Sequence, residues 1–379
     1  MTNDVVKLRQ VLHRNPELSG SEAETARRIV RFFKPLKPTE MIEGLGGHGL
    51  AVVFSGQEVG PTVLLRCELD ALPIQEINPF SDRSRVEGVG HQCGHDGHMA
   101  IVAAVGVALA RQRPKRGRVV LLFQPAEEIG KGAAEVVKDD RFSMIAPDYA
   151  FALHNLPGYP LGQVLICDGA FSAASRGMAI TLTGKTAHAA QPETGRSPAR
   201  ALCKIIQQFS SLPQDIDAAH EMAFVTVVGA NLGEKAFGTA PGRAEVWATL
   251  RSETDDMMAC LIAQAEAVVA DSAKADGLEY RIDYDDIFGA TVNASAAANI
   301  VRRCAGEVIQ EIEQPFRWSE DFGRITATCK GAMFGLGAGE DTPDLHDPHY
   351  RFPDELIAIG ADLFLRIIRQ CLLEPSASW

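Results

Sequence analysis

Gly90-His91-Gln92-Cys93-Gly94-His95-Asp96-Gly97-His98-Met99 gathers three imidazoles, a thiol and a carboxylate within ten residues. Cys, His and Asp are side chains that bind transition metals. Core or surface sequence has no reason to collect them. The glycines let the backbone turn tightly, which predicts a loop that presents Cys93 and His95, two residues apart, to one ion. A polar surface loop is the plain alternative for the stretch taken alone.

Outward from the cluster, Met99 to Arg111 is Ala-rich and apolar nearly all round, which predicts a buried helix. On either side lie short apolar runs, Leu50 to Phe54, Pro61 to Leu65, Val119 to Phe123 and Tyr149 to Leu153, read as strands. Three of them stop at polar residues: at Asp70, at Glu127-Glu128 and at His154. Ligands of α/β sheets bind at the carboxyl ends of strands, so these ends define a candidate site. Helices are expected over residues 4–15 and on to Phe33, the second opened by a Ser19/Glu22 capping box. Helices are also expected over 295–312 and 353–372. Residues 332–336 read as a strand, and Gly335-Leu-Gly-Ala-Gly339 as a tight turn.

Between these parts the pattern changes. Strands at 176–183, 223–229, 244–250 and 280–284 alternate with helices at 197–212 and 254–273. The order β-α-β-β-α-β is the ferredoxin-like unit. We therefore expect an α/β protein with a catalytic domain of helices flanking a central sheet and an inserted ferredoxin-like α+β domain. The expected boundaries are 1–174 and 288–379 for the catalytic domain and 175–287 for the insert. The last residues, 374–379, read as loose.

The chain has 379 residues, is 46% hydrophobic and carries a net charge of −12 with a pI near 5.4. That length and apolar share allow two domains with sizeable cores. The Arg111–Arg118 basic run reads as a solvated turn, so a nucleic-acid partner is not expected. Eight scattered cysteines without a Cys-x-x-Cys pair fit a reduced, cytoplasmic compartment. No apolar run reaches transmembrane length, so no membrane partner is expected.

Glu127-Glu128 follows an apolar strand and a proline. On extended backbone neighbouring side chains point opposite ways, so one carboxylate can bind metal while the other faces the substrate. His154 and His346 add imidazoles from two further segments. One Cys, three His and one Glu suit two divalent ions that clamp a carbonyl oxygen and lower the pKa of a water from about 15.7 toward 7. A free carboxylate beside that water is a general base. No Gly-x-Ser-x-Gly elbow, Walker loop or His-Glu-x-x-His helix is present.

The motifs Leu12-His-Arg-Asn-Pro-Glu-Leu18, Asp70-Ala-Leu-Pro-Ile74, His91-Gln-Cys-Gly-His-Asp-Gly-His98, Phe123-Gln-Pro-Ala-Glu-Glu128, Leu153-His-Asn155, Ala187-His-Ala-Ala190 and Leu345-His-Asp-Pro348 occur in this order. Together they resemble the amidohydrolase branch of the aminoacylase/carboxypeptidase zinc-peptidase family. That branch includes hippurate hydrolases, indole-acetyl-amino-acid hydrolases and N-acetyl-diaminopimelate deacetylases. The resemblance implies a zinc-peptidase-like catalytic domain with a mixed central sheet, and metal ligation by Cys93, His95, Glu128, His154 and His346, with Glu127 as base. Asp70 joins Glu127 as a catalytic candidate. The resemblance also implies that His188 steadies the oxyanion in a partner subunit's site and that Arg251 holds a substrate carboxylate. It implies two divalent ions per subunit, Zn or Mn first and Co or Ni as alternatives. The inserted domain is expected to form a homodimer, with a tetramer as the larger alternative. The expected reaction is hydrolysis of an N-acyl amino acid. A dipeptidase or carboxypeptidase acting on short peptides, and a catalytically silent ligand-binding relative, are the alternatives. Relatives usually have Asp-Met-Asp where this chain has Glu68-Leu-Asp70, which brings Glu68 into question as a residue touching the site. Asp96, His91 and His98 are expected behind the ligands rather than among them.

Overall fold

A computed structural model describes residues 2–213 and 222–373. The expectation for residues 374–379 lies outside the described residues. The chain divides into two compact units, Met1–Phe171 with Thr291–Pro315 and Glu320–Trp379, and Ser172–Ala290 with Phe316–Ser319.

The first unit is built on an eight-stranded sheet. Its order is Glu40–Leu45, Gly49–Ser55, Arg116–Gln124, Glu58–Glu68, Tyr149–Leu156, Lys330–Gly337, Val164–Ile166 and Ile309–Glu311. The four central strands are parallel neighbours, with Val63 opposite both Val119 and Tyr149, and Phe334 opposite Leu153. Antiparallel pairs at the Gly49–Ser55 side make the sheet mixed. The central strands read as continuous apolar runs because both faces are buried. Phe33, Phe54, Leu65, Phe123, Phe151, Phe334 and Phe364 meet in one core with Leu12 of the first helix, Thr2–Arg14. The helices His95–Arg111 and Glu355–Leu373 pack on each other and on this sheet.

The second unit has a four-stranded sheet of order Ala223–Leu232, Arg243–Ser252, Ala174–Thr183, Glu279–Phe288, every neighbouring pair antiparallel. With the helices Ala199–Phe209 and Asp255–Asp276 it is a ferredoxin-like βαββαβ unit. Its core is separate and includes Met178, Ile180, Leu182, Ile205, Phe209, Val246, Leu250, Leu261 and Val269. Thr254 caps the longer helix by accepting from the Met257 amide, and Gly277 ends it.

Four local expectations are corrected. The Ser19/Glu22 capping box does not form: Ser19 Oγ donates to Asp70, and Glu22 accepts from the Gly20 and Ala126 amides, so other parts of the unit claim both side chains. The helix expected over 295–312 ends at Ala305, where Gly306 breaks it, and Ile309–Glu311 is a strand. Gly335 to Gly337 belong to a strand paired with His154 to Leu156 rather than to a turn. The buried helix starts at His95 rather than Met99, because its first turn is polar. The strand Glu40–Leu45 had no expectation; its partly exposed sequence lacks an apolar run.

Candidate metal centre

Parallel strands aim their carboxyl ends at one place. The strand Glu58–Glu68 ends two residues before Asp70, Arg116–Gln124 ends three before Glu127, and Tyr149–Leu156 carries His154 near its end. Cys93 and His95 arrive at the start of the buried helix. Gly94 between them has φ +92°, and a Cβ there would lie 2.7 Å from Asn155 Oδ1. Only glycine lets the chain turn so tightly between the thiol and the imidazole. His346 arrives on a loop, also in the left-handed region at φ 68°, with its amide donating to the Gln92 carbonyl.

All five residues named for metal in the sequence come together, and Glu127 joins them. Cys93, His95 and His154 offer donor atoms within 4.8 Å of one another, and so do Cys93, Glu128 and His346, and His95, Glu127 and Glu128. Cys93 Sγ is 3.5 Å from His154 Nε2. His95 Nε2 is 3.8 Å from both Glu127 Oε2 and Glu128 Oε1. His346 Nε2 is 4.0 Å from Glu128 Oε2. Asp70 stands behind this set. Its carbonyl accepts from His95 Nδ1 at 2.9 Å, which fixes Nε2 as the nitrogen presented to the site. Asp70 Oδ2 accepts from the Glu128 amide and from Ser19.

The residues fit a divalent cation. His95 Nε2 and Glu128 Oε1 are buried and have no hydrogen-bond partner among the described residues. Buried polar atoms are otherwise nearly always paired, so these two are poised for a ligand. The electrostatics agree. Burial, with Glu128 nearby, pushes the Cys93 thiol up. Burial and the neighbouring Glu320 and Glu128 push Glu127 well above the carboxylate range. Glu128 rises to about 7, chiefly from burial, against the opposing pull of His95. Burial and His98 lower His154 to about 3. Burial alone would lower His95, but Cys93, Asp70 and Glu68 raise it well above its ordinary value. A divalent cation at this point would hold the thiol and carboxylates ionised and the imidazoles neutral.

The structure also supplies partners that the sequence does not announce: Arg66, Glu320, Asp321, Arg9 and His13. Arg66, fully buried, binds Glu320 through two parallel hydrogen bonds of 2.8 and 2.9 Å, reaches Asp321 at 2.6 Å and contacts Glu68. Glu127, Glu320 and Asp321 have carboxylates within 4.8 Å of one another. Glu68 accepts from His98 Nδ1 at 2.6 Å and contacts Arg66, and Glu68, His95 and His98 form a further set of donors within 4.8 Å of one another. Asp96 is held by Arg9 at 2.8 Å and by His13 at 2.9 Å. Apart from Arg66 and Glu68, these partners are far apart in the chain, so no spacing announces them.

His188 and Arg251 belong to the second unit. His188 is exposed on a short ladder opposite Thr239. Its Nδ1 accepts from the Ala190 amide, so the neutral ring carries its proton on Nε2. Arg251 donates to the Arg317 carbonyl and Ser319 Oγ.

Comparison with known proteins bears on this arrangement. The model of peptidase family M20/M25/M40 matches residues 64–370. The N-acetyldiaminopimelate deacetylase of Priestia megaterium is 31% identical over 339 residues, 88% of this chain and 90% of the relative. The hippurate hydrolase of Campylobacter jejuni is 28% identical over 366 residues, 95% of this chain and 94% of the relative. The crystal structure of the Bacillus subtilis YXEP protein, a dinuclear metal-binding peptidase of the M20 family, superposes with a TM-score of 0.83. It shares 24% identity and covers 98% of each chain, a likeness of fold. The fold, the clustered metal-type donors and the matched length agree: the chain belongs to peptidase family M20/M25/M40, in its amidohydrolase branch.

Proposed function

We propose that the protein hydrolyses the amide bond of an N-acyl amino acid, using two divalent ions held by Cys93, His95, Glu128, His154 and His346. The carrying observation is that Cys93 belongs to two three-donor sets at once, with Glu127 at their edge. A donor common to both sets suits a pair of ions. When bound, the ions polarise the scissile carbonyl and draw a water's pKa toward about 7. Glu127 takes the proton from the attacking water and hands it to the leaving amine, a role typically worth about 10²–10⁴-fold. Asp70 fixes the His95 tautomer and holds the Glu128 amide. His188, protonated at Nε2, donates to the developing oxyanion from the other subunit of a homodimer, and Arg251 meets the substrate carboxylate. The activities for which these relatives are named, on N-acetyldiaminopimelate and hippurate, support an acylated amino acid as substrate. A thiolate ligand favours Zn²⁺ on softness, with Mn²⁺ as the competing ion.

The test is a panel of N-acetyl, N-benzoyl and indole-acetyl amino acids beside plain dipeptides. Chelator-stripped protein receives Zn²⁺, Mn²⁺, Co²⁺ or Ni²⁺ one at a time. Metal-dependent release of a free amino acid from one acyl class is expected. Faster cleavage of dipeptides would move the assignment to a peptidase, and silence with metal bound would overturn it. Glu127→Gln should keep full metal content and lose at least about 10²-fold in turnover; near-normal turnover would remove Glu127 from the base role. Mixing the separately inactive His188→Ala and Glu127→Gln proteins should restore activity through hybrid dimers. Failure to do so, with subunit exchange demonstrated, would count against a shared site.

A further inference from the structure

The turn that carries Glu127 and Glu128 is strained at a residue that is not glycine. Ala126 has φ 50°, the left-handed region that side-chain-bearing residues rarely adopt. Such conformations persist only where surrounding contacts enforce them, and they cluster at functional sites. One enforcing contact comes from far along the chain. Glu22 is completely buried, and its Oε1 accepts from the Ala126 amide at 2.8 Å and from the Gly20 amide at 2.8 Å. Two residues on, Asp70 Oδ2 accepts from the Glu128 amide at 2.9 Å. The Ala126 carbonyl is held in turn by the Lys131 and Gly132 amides. The second oxygen of Glu22 is buried and has no partner among the described residues. A full carboxylate is therefore more than local helix structure needs there, and the helix that follows Glu22 has no side-chain cap.

We infer that Glu22 is a positioning residue that clamps Ala126 in its left-handed conformation and so brings the Glu127 and Glu128 carboxylates together at His95. The inference rests on the base and ligand roles proposed above for those two residues. Without the clamp, Ala126 relaxes toward ordinary backbone, and the two carboxylates that follow it swing out of register with Cys93 and His95. The clamp needs an accepting oxygen at Oε1 and not a negative charge. Glutamine should therefore replace Glu22, whereas alanine should not.

The test compares Glu22→Gln, Glu22→Ala, Ala126→Gly and the double variant Glu22→Ala/Ala126→Gly. The readouts are metal stoichiometry, steady-state kinetics on the best substrate of the panel, and hydrogen exchange at the residue-126 amide. Glu22→Gln should keep kcat within about twofold and leave the amide protected, since an accepting carbonyl oxygen remains. Glu22→Ala should lower kcat at least tenfold with KM little changed, and should accelerate exchange at that amide at least a hundredfold. Glycine adopts positive φ without penalty, so Ala126→Gly should be nearly silent alone and should recover most of the kcat lost in Glu22→Ala. If Glu22→Ala lowers the unfolding midpoint and kcat together and glycine at 126 recovers neither, Glu22 is only structural and the inference is wrong. Equal loss in the Gln and Ala variants would overturn it as well. Amide exchange decides the clamp even if no panel substrate is cleaved, an outcome that would count against the proposed reaction alone.

Discussion

Arg66 is one buried positive charge set against Glu68, Glu320 and Asp321, all of them buried. Removing one partner of such a group leaves uncompensated charge inside, typically at a cost of about 3–5 kcal/mol. Arg66→Met should therefore lower the urea midpoint of the first unit severely; a midpoint equal to that of the unchanged protein would mean the cluster takes up protons at no cost. His13 is the other residue with a visible stability signature. Burial lowers its pKa, but Asp96 and Glu76 outweigh burial and raise it to about 9, with Arg9 and His91 also lining the group. Its folded value lies above the unfolded value of 6.5. Its stabilisation is thus fully present below pH 6.5 and is lost as pH rises through 9, roughly 3 kcal/mol in all. Urea unfolding at pH 6 and pH 9.5 should show that loss, and the His13→Asn protein should show a flatter dependence. Equal slopes for the two proteins would count against a charged His13.

At the level of elements, the site is built where the buried helix begins. Its start at His95 depends on Gly94, whose φ of +92° and closeness to Asn155 leave no room for a side chain. Gly94→Ala combines backbone strain with a clash, so metal stoichiometry should fall below that of the unchanged protein while far-UV circular dichroism is retained. Gly306 is a control. It too has positive φ, +64°, yet nothing lies within 4 Å of a Cβ placed there. Gly306→Ala should cost only about 1 kcal/mol and leave metal content unchanged. If both variants lose metal alike, the loss reflects general destabilisation and not crowding by Asn155.

The molecule as a whole has two cores, one in each compact unit. All the proposed metal ligands belong to the first unit. A ligand stabilises only the fold that binds it, by about 2.7 kcal/mol when present at a hundred times its dissociation constant. Calorimetry of the stripped protein should resolve two transitions, with added Zn²⁺ or Mn²⁺ raising the one that belongs to the first unit. A common upward shift of both would mean that the two units unfold as one.

How much of this was legible beforehand differs by feature. The apolar runs and their periodicity determined the central strands, the buried helix and the β-α-β-β-α-β order of the insert, because those patterns record which face is buried. The metal-type residues were legible as well, since a thiol and imidazole on a Gly-flanked loop, with carboxylates and another imidazole at strand ends, have no packing reason to be there. Tertiary structure alone decided their mutual distances and the orphaned nitrogen of His95. It alone decided the partners standing behind them, Arg66 with Glu320, Arg9 and His13 with Asp96, and Glu22 with Ala126. The physical reason is that local patterns encode burial and backbone preference over a few residues, whereas a buried charge finds its partner across the fold, as Arg66 does 254 residues away at Glu320.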